Sequence, residues 1–265
     1  MADPRAILVT GGAHGIGAAM VRRFTAAGHQ VAVADLDRGK GLDLAVQTGC
    51  HFVQADVSVL QDNQAAVAET VNRFGRLDTV CLNAATPAGQ GLGDDFDAEK
   101  YHRAMRVNLD GPVYGANAAI SHLRHGGGDR GGGAILITSS LAGITASPDP
   151  YYATAKHALI GLTRSLALLL QPDGITANAL CPGFTDTRLV ATHRDTLTGH
   201  GIAIAEPDHV AAAAEHILGT GRTGEAWNIQ ADQPPHAGAI PAHHAEHARC
   251  SIFKLTIPAS PRPPP

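Results

Sequence analysis

The sequence predicts an α/β fold, a doubly wound parallel sheet of seven strands with helices on both faces. Short apolar runs alternate with longer segments along the chain, and glycine or polar residues follow most of the runs. Such alternation is typical of βαβ units, whose helices cover both faces of a parallel sheet. The predicted strands are residues 5–10, 31–35, 51–57, 77–85, 134–140, 175–183 and 225–230.

Helices are predicted in several of the segments between these strands, where apolar residues recur at helical spacing. The first follows strand 5–10 and ends near Gly28, and the others cover residues 60–74, 99–124, 151–170 and 206–219. Residues 126–133, GGGDRGGG, are predicted to form a flexible loop.

The first strand–helix–strand unit carries a nucleotide-binding pattern. TGGAHGIG follows the first strand directly and opens the helix, and the second strand ends at Asp35. Gly11, Gly15 and Gly17 allow the backbone to approach a pyrophosphate, which would lie at the helix N-terminus. This order of elements predicts a Rossmann-type dinucleotide site.

Asp35 indicates which dinucleotide the site takes. A carboxylate at the end of the second strand accepts hydrogen bonds from the adenosine ribose hydroxyls and repels a 2′-phosphate. His14 stands in the loop where a phosphate-selecting protein would carry Arg or Lys. The expected cofactor is therefore NAD(H) rather than NADP(H). The alternative is that Asp35 caps the helix that follows it.

Tyr152 and Lys156, in the sequence YATAK, are four residues apart. They lie on one face of the predicted helix, one turn apart. A fixed ammonium favours the phenolate and lowers the pKa of a tyrosine from its usual value of about 10. Such a tyrosine can take a proton from an alcohol or return one to a carbonyl oxygen. The plainer alternative is an ordinary helix tyrosine beside a lysine that extends to water.

Composition narrows the classes of partner and location. The formal net charge of −4 gives no basic surface for nucleic acid. No apolar run reaches membrane-spanning length, and the N-terminus enters a strand-like run without a signal peptide. The 4 cysteines form no C-x-x-C pair, which favours free thiols in a reducing compartment. A cytoplasmic protein is expected.

The composition changes from Pro234 onward to a Pro- and His-rich segment without a clear period. The prediction is one domain over residues 1–233, followed by a mobile or surface-draped tail over residues 234–265. Four potential metal ligands stand close together in this tail: His243, His244, His247 and Cys250. Because such tails are usually disordered, no metal site is predicted.

With these motifs in this order, the chain resembles the short-chain dehydrogenase/reductase family over roughly residues 4–231. TGGAHGIG is similar to the family's T-G-x-x-x-G-x-G cofactor loop, and NALCPGFTDT is similar to the segment that packs on the nicotinamide. The shorter matches are Asn83-Ala84-Ala85 for the N-A-G element, Asn108 in VNLDG for the helix asparagine, and Ser140, Tyr152 and Lys156 for the catalytic serine, tyrosine and lysine.

The resemblance implies a role for each catalytic residue. Tyr152 is expected to be the acid/base, Lys156 to lower its pKa and hold the ribose hydroxyls, and Ser140 to stabilise the reacting oxygen. Asn108 is expected to hold a water that links Lys156 to solvent. The alternative for Asn108 is a structural asparagine that kinks its helix.

The resemblance also implies which residues line the cofactor, with Thr187 placed to reach the carboxamide. These residues belong to the glycine loop, the ends of the strands and the Tyr/Lys helix: Gly11, His14, Gly15, Ile16, Gly17, Asp35, Leu36, Asp56, Val57, Asn83, Ala84, Ala85, Tyr152, Lys156, Pro182, Gly183, Phe184, Thr185 and Thr187.

The chain departs from the family pattern at three places. Ala85 replaces the glycine of N-A-G. Ser140 lies one position closer to Tyr152 than in many relatives, so Ser139 is the alternative catalytic serine. IQADQPP replaces the usual glycine-rich segment after the last strand.

The expected function is an NAD-dependent oxidoreductase that interconverts a secondary alcohol and a ketone. One alternative is an NADPH-dependent reductase of ketoacyl or polyketide type, and another is a module that binds NAD for sensing or scaffolding without chemistry. The family implies a homo-oligomer, a tetramer or dimer built on helices 99–124 and 151–170. The candidate contact residues are Ala118, Ala119, Leu166 and Leu169, and packing in the core is the alternative for each of them.

Overall fold

The computed structural model of the protein describes residues 4–88, 91–126, 132–231 and 233–237. Its sheet has eight strands in the order β3-β2-β1-β4-β5-β6-β7-β8, and the first seven run parallel. The strands are β1 (Ala6–Thr10), β2 (Gln30–Asp35), β3 (His51–Gln54), β4 (Thr79–Leu82), β5 (Ala134–Thr138), β6 (Thr176–Pro182), β7 (Ala226–Ile229) and β8 (His236–Ala237). The predicted doubly wound parallel sheet is confirmed.

The eighth strand was not predicted, and it lies in the segment assigned to the tail. β8 runs antiparallel to β7, with Trp227 opposite Ala237 and Asn228 opposite His236. A strand of two residues has no alternation of apolar and polar positions, so the sequence gives no periodic signal for it.

The remainder of the predicted tail, residues 238–265, lies outside the described residues, together with the four potential metal ligands His243, His244, His247 and Cys250. Residues 127–131 of the predicted flexible loop lie outside them as well. The division into one domain and a tail stays a prediction.

Helices pack on both faces of the sheet. They are α1 (Gly15–Ala26), α2 (Arg38–Thr48), α3 (Leu60–Phe74), α4 (Ala98–Met105), α5 (Gly111–Gly126), α6 (Pro150–Leu170), α7 (Arg194–Gly199) and α8 (Pro207–Thr220). The bounds of α3 agree with the prediction. α2 and α7 were not predicted, because α2 buries only Gly41 and Leu44 and α7 is a single short turn, so neither has a strong apolar period.

The predicted long helix 99–124 is divided in the structure. A π-helical turn, Arg106–Asp110, separates α4 from α5 and contains Asn108, whose side chain is fully buried. π-helical turns are rare and recur at functional positions within helices. The apolar period continues through the turn, so periodicity predicts one helix where the backbone forms three segments.

Alternate residues of each strand serve opposite faces of the sheet. In β1, Ile7 and Val9 belong to the core that packs against α1 and α8, and Leu8 belongs to the core on the α3, α5 and α6 side. All residues of β1, β4 and β5 are buried. Strands covered on both faces appear in the sequence as continuous apolar runs, which is why these three were predictable.

The strand order reverses between β1 and β4. From β1 the chain moves outward through β2 to β3, and it then returns to β4 on the other side of β1. Ligands of open parallel sheets bind in the crevice that such a reversal leaves at the carboxyl ends of the strands. The loops after β1, β4 and β5 therefore meet at one place.

Two of the residues named as candidate subunit contacts belong to the core. Ala119 and Leu166 are buried between the sheet and their helices, and Ala118 is packed partly against the same core. Leu169 is 63% exposed and its neighbour Leu168 is 65% exposed. Core packing, the alternative to a partner contact, holds for Ala119 and Leu166, because periodicity does not show which face of an apolar helix meets the sheet.

The described residues contain no helix that is both long and apolar enough to cross a bilayer. Cys50, Cys81 and Cys181 are buried free thiols, as expected, and Cys250 lies outside the described residues.

Candidate active site

The glycine loop between β1 and α1 is closed tightly on itself. A Cβ at Gly17 would lie 2.2 Å from the Gly11 carbonyl oxygen, and a Cβ at Gly11 would lie 2.6 Å from the Ala84 Cα. Gly15 has a φ of +47°, in the left-handed region that favours glycine. Side chains at these positions would collide with backbone, so the loop depends on its glycines.

The N-terminus of α1 is left open toward this loop. Its N-cap residue, His14, makes no side-chain capping bond, and the first turn contains no acidic residue. An uncapped helix N-terminus beside glycine backbone attracts anions. The predicted residues Gly15, Ile16 and Gly17 begin this helix, and their arrangement fits the diphosphate of a dinucleotide.

Asn83 connects the loops after β1, β4 and β5. Its Nδ2 lies 3.3 Å from the Thr10 carbonyl and 3.2 Å from the Gly11 carbonyl, and its Oδ1 accepts a 3.1 Å bond from the Thr138 hydroxyl. The Ala84 backbone packs directly against Gly11. The next residue, Ala85, is partly buried. The predicted N-A-A segment thus shapes the floor of the crevice.

The carboxylate of Asp35 is held at the end of β2. Its Oδ2 accepts a 2.9 Å bond from the Ala13 amide, and its Oδ1 accepts a 2.9 Å bond from the Asp37 amide. The residue that caps α2 is Asp37, through the Lys40 amide. Asp35 therefore is not the helix cap, and Leu36 beside it is 65% exposed.

Asp56 and Val57 follow β3 on the same side of the sheet. The Asp56 carboxylate accepts a 2.9 Å bond from the Ser58 amide. Val57 is nearly buried, and it packs so closely on Gly111 that a Cβ there would lie 3.1 Å from the Val57 Cγ2. Both residues lie just after the carboxyl end of β3, and their contact with the cofactor stays a prediction.

The segment after β6 folds back over the glycine loop. Gly183 donates a 2.8 Å bond to the Ile229 carbonyl, and the Phe184 carbonyl accepts one of 2.8 Å from Ala205. Thr185 is buried in a bridge to Ala205, and a Cβ at Gly15 would lie 2.8 Å from the Thr187 Cγ2. We call residues 183–205 the flap. The flap follows Pro182 and brings Thr187 against the glycine loop, and its reach to the nicotinamide carboxamide stays a prediction.

Ser140, Tyr152 and Lys156 meet at the carboxyl end of β5. The Ser140 side chain lies close enough to the Tyr152 hydroxyl to lower the pKa of that phenol. Lys156 is only 1% exposed; its Nζ donates a 2.8 Å bond to the Thr138 carbonyl and lies 5.4 Å from the centre of the Tyr152 ring. Lys156 therefore does not extend to water, and the tyrosine beside it faces the crevice serine.

The two neighbouring serines have separate tasks. The Ser139 hydroxyl is buried and donates a 2.8 Å bond to the Lys156 carbonyl, so it ties β5 to α6. The Ser140 hydroxyl accepts a 3.1 Å bond from the Ala142 amide and remains beside Tyr152. The geometry favours Ser140 over Ser139 as the serine that acts on a substrate.

Burial dominates the pKa of Tyr152, and the expected lowering of that pKa by Lys156 stays a prediction. Burial raises the pKa of Tyr152 above its usual value of 10, the Ser140 side chain opposes the rise, and the Asp149 charge adds to it. The Lys156 ammonium is bonded to a carbonyl rather than to the phenol. Burial in turn lowers the pKa of Lys156 to about 8.

Asn108 uses its side chain to fasten a loop. Its Oδ1 accepts a 2.8 Å bond from the Thr86 amide, and its Nδ2 donates a 2.9 Å bond to the Thr86 carbonyl. This pairing joins the π-helical turn to the segment after β4. The contacts support the structural alternative for Asn108, and the water relay stays a prediction.

Sequence reasoning missed two groups that build the site. The Thr138 carbonyl holds Lys156, but a backbone acceptor has no side-chain signature. Gly143 permits the close approach of the 3₁₀ turn Leu141–Gly143 to α6, since a Cβ there would lie 2.4 Å from the Ser139 Oγ and 2.7 Å from the Lys156 carbonyl oxygen. The sequence signal that could have identified Gly143 is the Ala142-Gly143 pair directly after Ser140 and Leu141.

Comparison with known proteins agrees with this geometry. The family model described as short chain dehydrogenase matches residues 5–198. The chain belongs to the short-chain dehydrogenase family. It is 38% identical over 190 residues to a probable galactose dehydrogenase of Rhizobium meliloti, covering 69% of this chain and 72% of the relative. It is 34% identical over 224 residues to the short-chain dehydrogenase reductase ATA1 of Arabidopsis thaliana, covering 84% of this chain and 81% of the relative.

A solved structure of the family has the same fold. The 3-ketoacyl-(acyl-carrier-protein) reductase from Brucella melitensis, complexed with NADH, is 26% identical, with a TM-score of 0.77 over 85% of this chain and 96% of that one. The family membership and the dehydrogenase or reductase class follow from these matches. The named substrates of the relatives belong to different chemical classes.

Gly143 and Gly161 form a matched pair for testing the contact between β5 and α6. Gly143→Ala should lower the free energy of unfolding by about 1–3 kcal/mol, because a methyl group would be forced against backbone. It should also reduce turnover, since α6 would shift relative to Ser140. Gly161, on α6, has no atom within 4 Å of a built Cβ, so Gly161→Ala should stabilise by about 1 kcal/mol. Urea denaturation and steady-state rates of both variants check this.

Lys156 should give the folded protein a recognisable pH dependence. Its pKa falls from 10.5 to about 8 on folding, so between these values the unfolded chain binds more protons than the folded one. The free energy of unfolding should therefore rise over this window by up to about 3 kcal/mol from this group. The stability advantage of Lys156→Met over wild type should shrink across the same window in denaturation measurements. A difference that stays constant across this window would contradict the prediction.

Proposed function

We propose that the protein is an NAD-dependent dehydrogenase that interconverts a small secondary alcohol and its ketone. The observation that carries the proposal is the position of Ser140, Tyr152 and Lys156 at the crevice that the glycine loop borders. A phenol, a hydroxyl and a buried ammonium at one point supply an acid/base and a group that stabilises a reacting oxygen.

Tyr152 is assigned the proton transfer. In oxidation its phenolate takes the proton of the substrate hydroxyl, and in reduction its hydroxyl returns a proton to the carbonyl oxygen. NAD, when bound, supplies the acceptor for the hydride that leaves the carbinol carbon. Ser140 donates to the same oxygen and stabilises charge that develops there.

The Tyr152 pKa has to fall before oxidation at neutral pH. Burial alone raises it, so a positive charge near the hydroxyl is required to favour the phenolate. Lys156, with a pKa of about 8, is mostly charged at pH 7 and lies within one helical turn. A rearrangement of its ammonium from the Thr138 carbonyl toward the phenol and the ribose would supply this effect.

The acidic residues at the end of β2 support the proposed preference for NAD over NADP. Two acidic residues, Asp35 and Asp37, stand there, and two backbone amides fix the Asp35 carboxylate. Oxygen lone pairs remain on Asp35 for ribose hydroxyls, since each carboxylate oxygen accepts one of these bonds. A 2′-phosphate would meet like charge at this point.

The proposal includes a homo-oligomer and a cytoplasmic location. Leu168 and Leu169 are exposed on α6 and Val113 is 39% exposed on α5, which supports contact between copies through these helices. Buried free cysteines support a reducing compartment.

Tyr152→Phe should leave NADH binding nearly intact and reduce turnover by at least about a thousandfold, because general acid/base groups contribute about 10²–10⁴-fold and no neighbour replaces the phenol. NADH formation across sugar, steroid, acyl and aryl carbinols provides the assay. The matched control is Tyr151→Phe, whose hydroxyl bonds the Gly91 carbonyl instead, and it should retain kcat within a few-fold.

Retained turnover in Tyr152→Phe would remove this residue from the mechanism. NADH binding by the wild type without turnover of any alcohol or ketone would favour the non-catalytic binding module instead.

Asp35→Ser should reduce the discrimination against NADP. The ratio of kcat/KM for NAD to that for NADP should fall at least about tenfold, because one repulsive charge is removed. Asp43→Ser, on the exposed side of α2, is the control and should leave the ratio unchanged. A wild type that prefers NADP would overturn the assignment and favour the NADPH-dependent reductase.

A further inference from the structure

Arg188, on the flap, contacts His14, whose ring nitrogen is already hydrogen-bonded to Asp37. Its Nη1 lies 3.3 Å from the His14 Nε2, and the same Nε2 lies 2.8 Å from the Asp37 Oδ2. One ring nitrogen either donates its proton or accepts one, and cannot do both. The shorter contact is to a carboxylate, which requires a donor, so Nε2 carries a proton toward Asp37. The Arg188 guanidinium consequently has no acceptor at His14.

The other contacts of the described residues give Arg188 no carboxylate partner. Among those residues, the guanidinium has the His14 contact and no ion pair, whereas Arg194 on the same flap pairs with Asp186. Asp37 and Arg188 attract each other only at longer range. The pKa of Asp37 is lowered mainly by the bond from the Lys40 amide and by the His14 hydrogen bond, and the Arg188 charge contributes least. Arg188 thus retains several N–H donors without a carboxylate partner, in contact with the N-cap residue of α1.

The place of this guanidinium is set by its neighbours. Thr187, the preceding residue, packs on Gly15, the first residue of α1. His14, on the other side, is the N-cap of α1, whose N-terminus has neither a side-chain cap nor an acid in its first turn. Arg188 therefore reaches, from the flap, the residue that begins the uncapped N-terminus of α1.

We infer that Arg188 is a cofactor-binding residue that holds the diphosphate of the dinucleotide from the flap side, opposite the N-terminus of α1. The inference rests on the proposed dinucleotide function. Guanidinium groups bind phosphate oxygens through paired charge-assisted hydrogen bonds. The diphosphate is favoured over a 2′-phosphate because Asp35 and Asp37 stand where the latter would lie.

This role links cofactor binding to the position of the flap. The flap is anchored at its base by the Thr185–Ala205 bridge and the Phe184–Ala205 bond. A bond from Arg188 to the diphosphate would fasten its other side across the glycine loop. Thr187 would then be held over the nicotinamide end of the crevice.

The test compares ligands that differ in the diphosphate. Arg188→Gln should weaken binding of NADH and of ADP-ribose about tenfold or more, in keeping with the loss of a charge-assisted hydrogen bond. Adenosine, which has no phosphate, should bind Arg188→Gln and wild type equally. Arg188→Lys should recover part of the affinity, and the dependence of log Kd on log salt should be less steep in Arg188→Gln. NADH fluorescence and calorimetry provide the constants.

Arg38→Gln is the matched control, since Arg38 is exposed at the start of α2, and it should bind all ligands as wild type does. Equal affinity of Arg188→Gln and wild type for ADP-ribose would overturn the inference and leave the proposed function intact. A loss confined to NADPH would overturn it in favour of a 2′-phosphate contact, and an equal loss for adenosine would show a purely structural role. Failure of the wild type to bind NADH would instead reject the proposed function.

Discussion

The burial of one ammonium organises the candidate active site. Lys156 is 1% exposed, and a charge removed from water requires hydrogen-bond acceptors in compensation. The Thr138 carbonyl at the end of β5 provides one, at 2.8 Å. The first turns of α6 must therefore lie directly on the end of this strand. Tyr152, one turn earlier on the same helix face, is then carried to Ser140.

Two neutral contacts maintain this docking. The Ser139 hydroxyl donates to the Lys156 carbonyl, and Gly143 has no side chain that would separate the two segments. Of the two serines after β5, Ser139 makes a structural hydrogen bond and Ser140 lies beside the Tyr152 phenol. On the cofactor side the same crevice is made largely of backbone, because Gly11 and Gly17 lie too close to their neighbours for any Cβ. The fixed charges on this side come from Asp35 and from the α1 N-terminus.

The agreement between sequence and structure follows from the kind of signal each element gives. β1, β4 and β5 are buried throughout and were predictable as continuous apolar runs. α3 has a strong apolar period and its bounds were correct. β8 and the π-helical turn at Asn108 gave no such signal, since one has two residues and the other preserves the surrounding period. The exposed face of α6 was not predictable either, because Leu166 and Leu169 have the same character in the sequence and opposite burial in the fold.

The sequence by itself determined the seven parallel strands, the helices that have a clear apolar period, the glycine loop, and the spacing that joins a tyrosine to a lysine. These are local properties, set by periodicity, by the conformational freedom of glycine and by the helical turn. The tertiary structure alone decided which serine faces the phenol, that Asp37 rather than Asp35 caps α2, that burial raises the Tyr152 pKa, and that Arg188 approaches His14 from a distant part of the chain. Each of these depends on groups that meet only when separate loops converge at the carboxyl edge of the sheet, and desolvation and hydrogen-bond competition there have no counterpart in the linear chain.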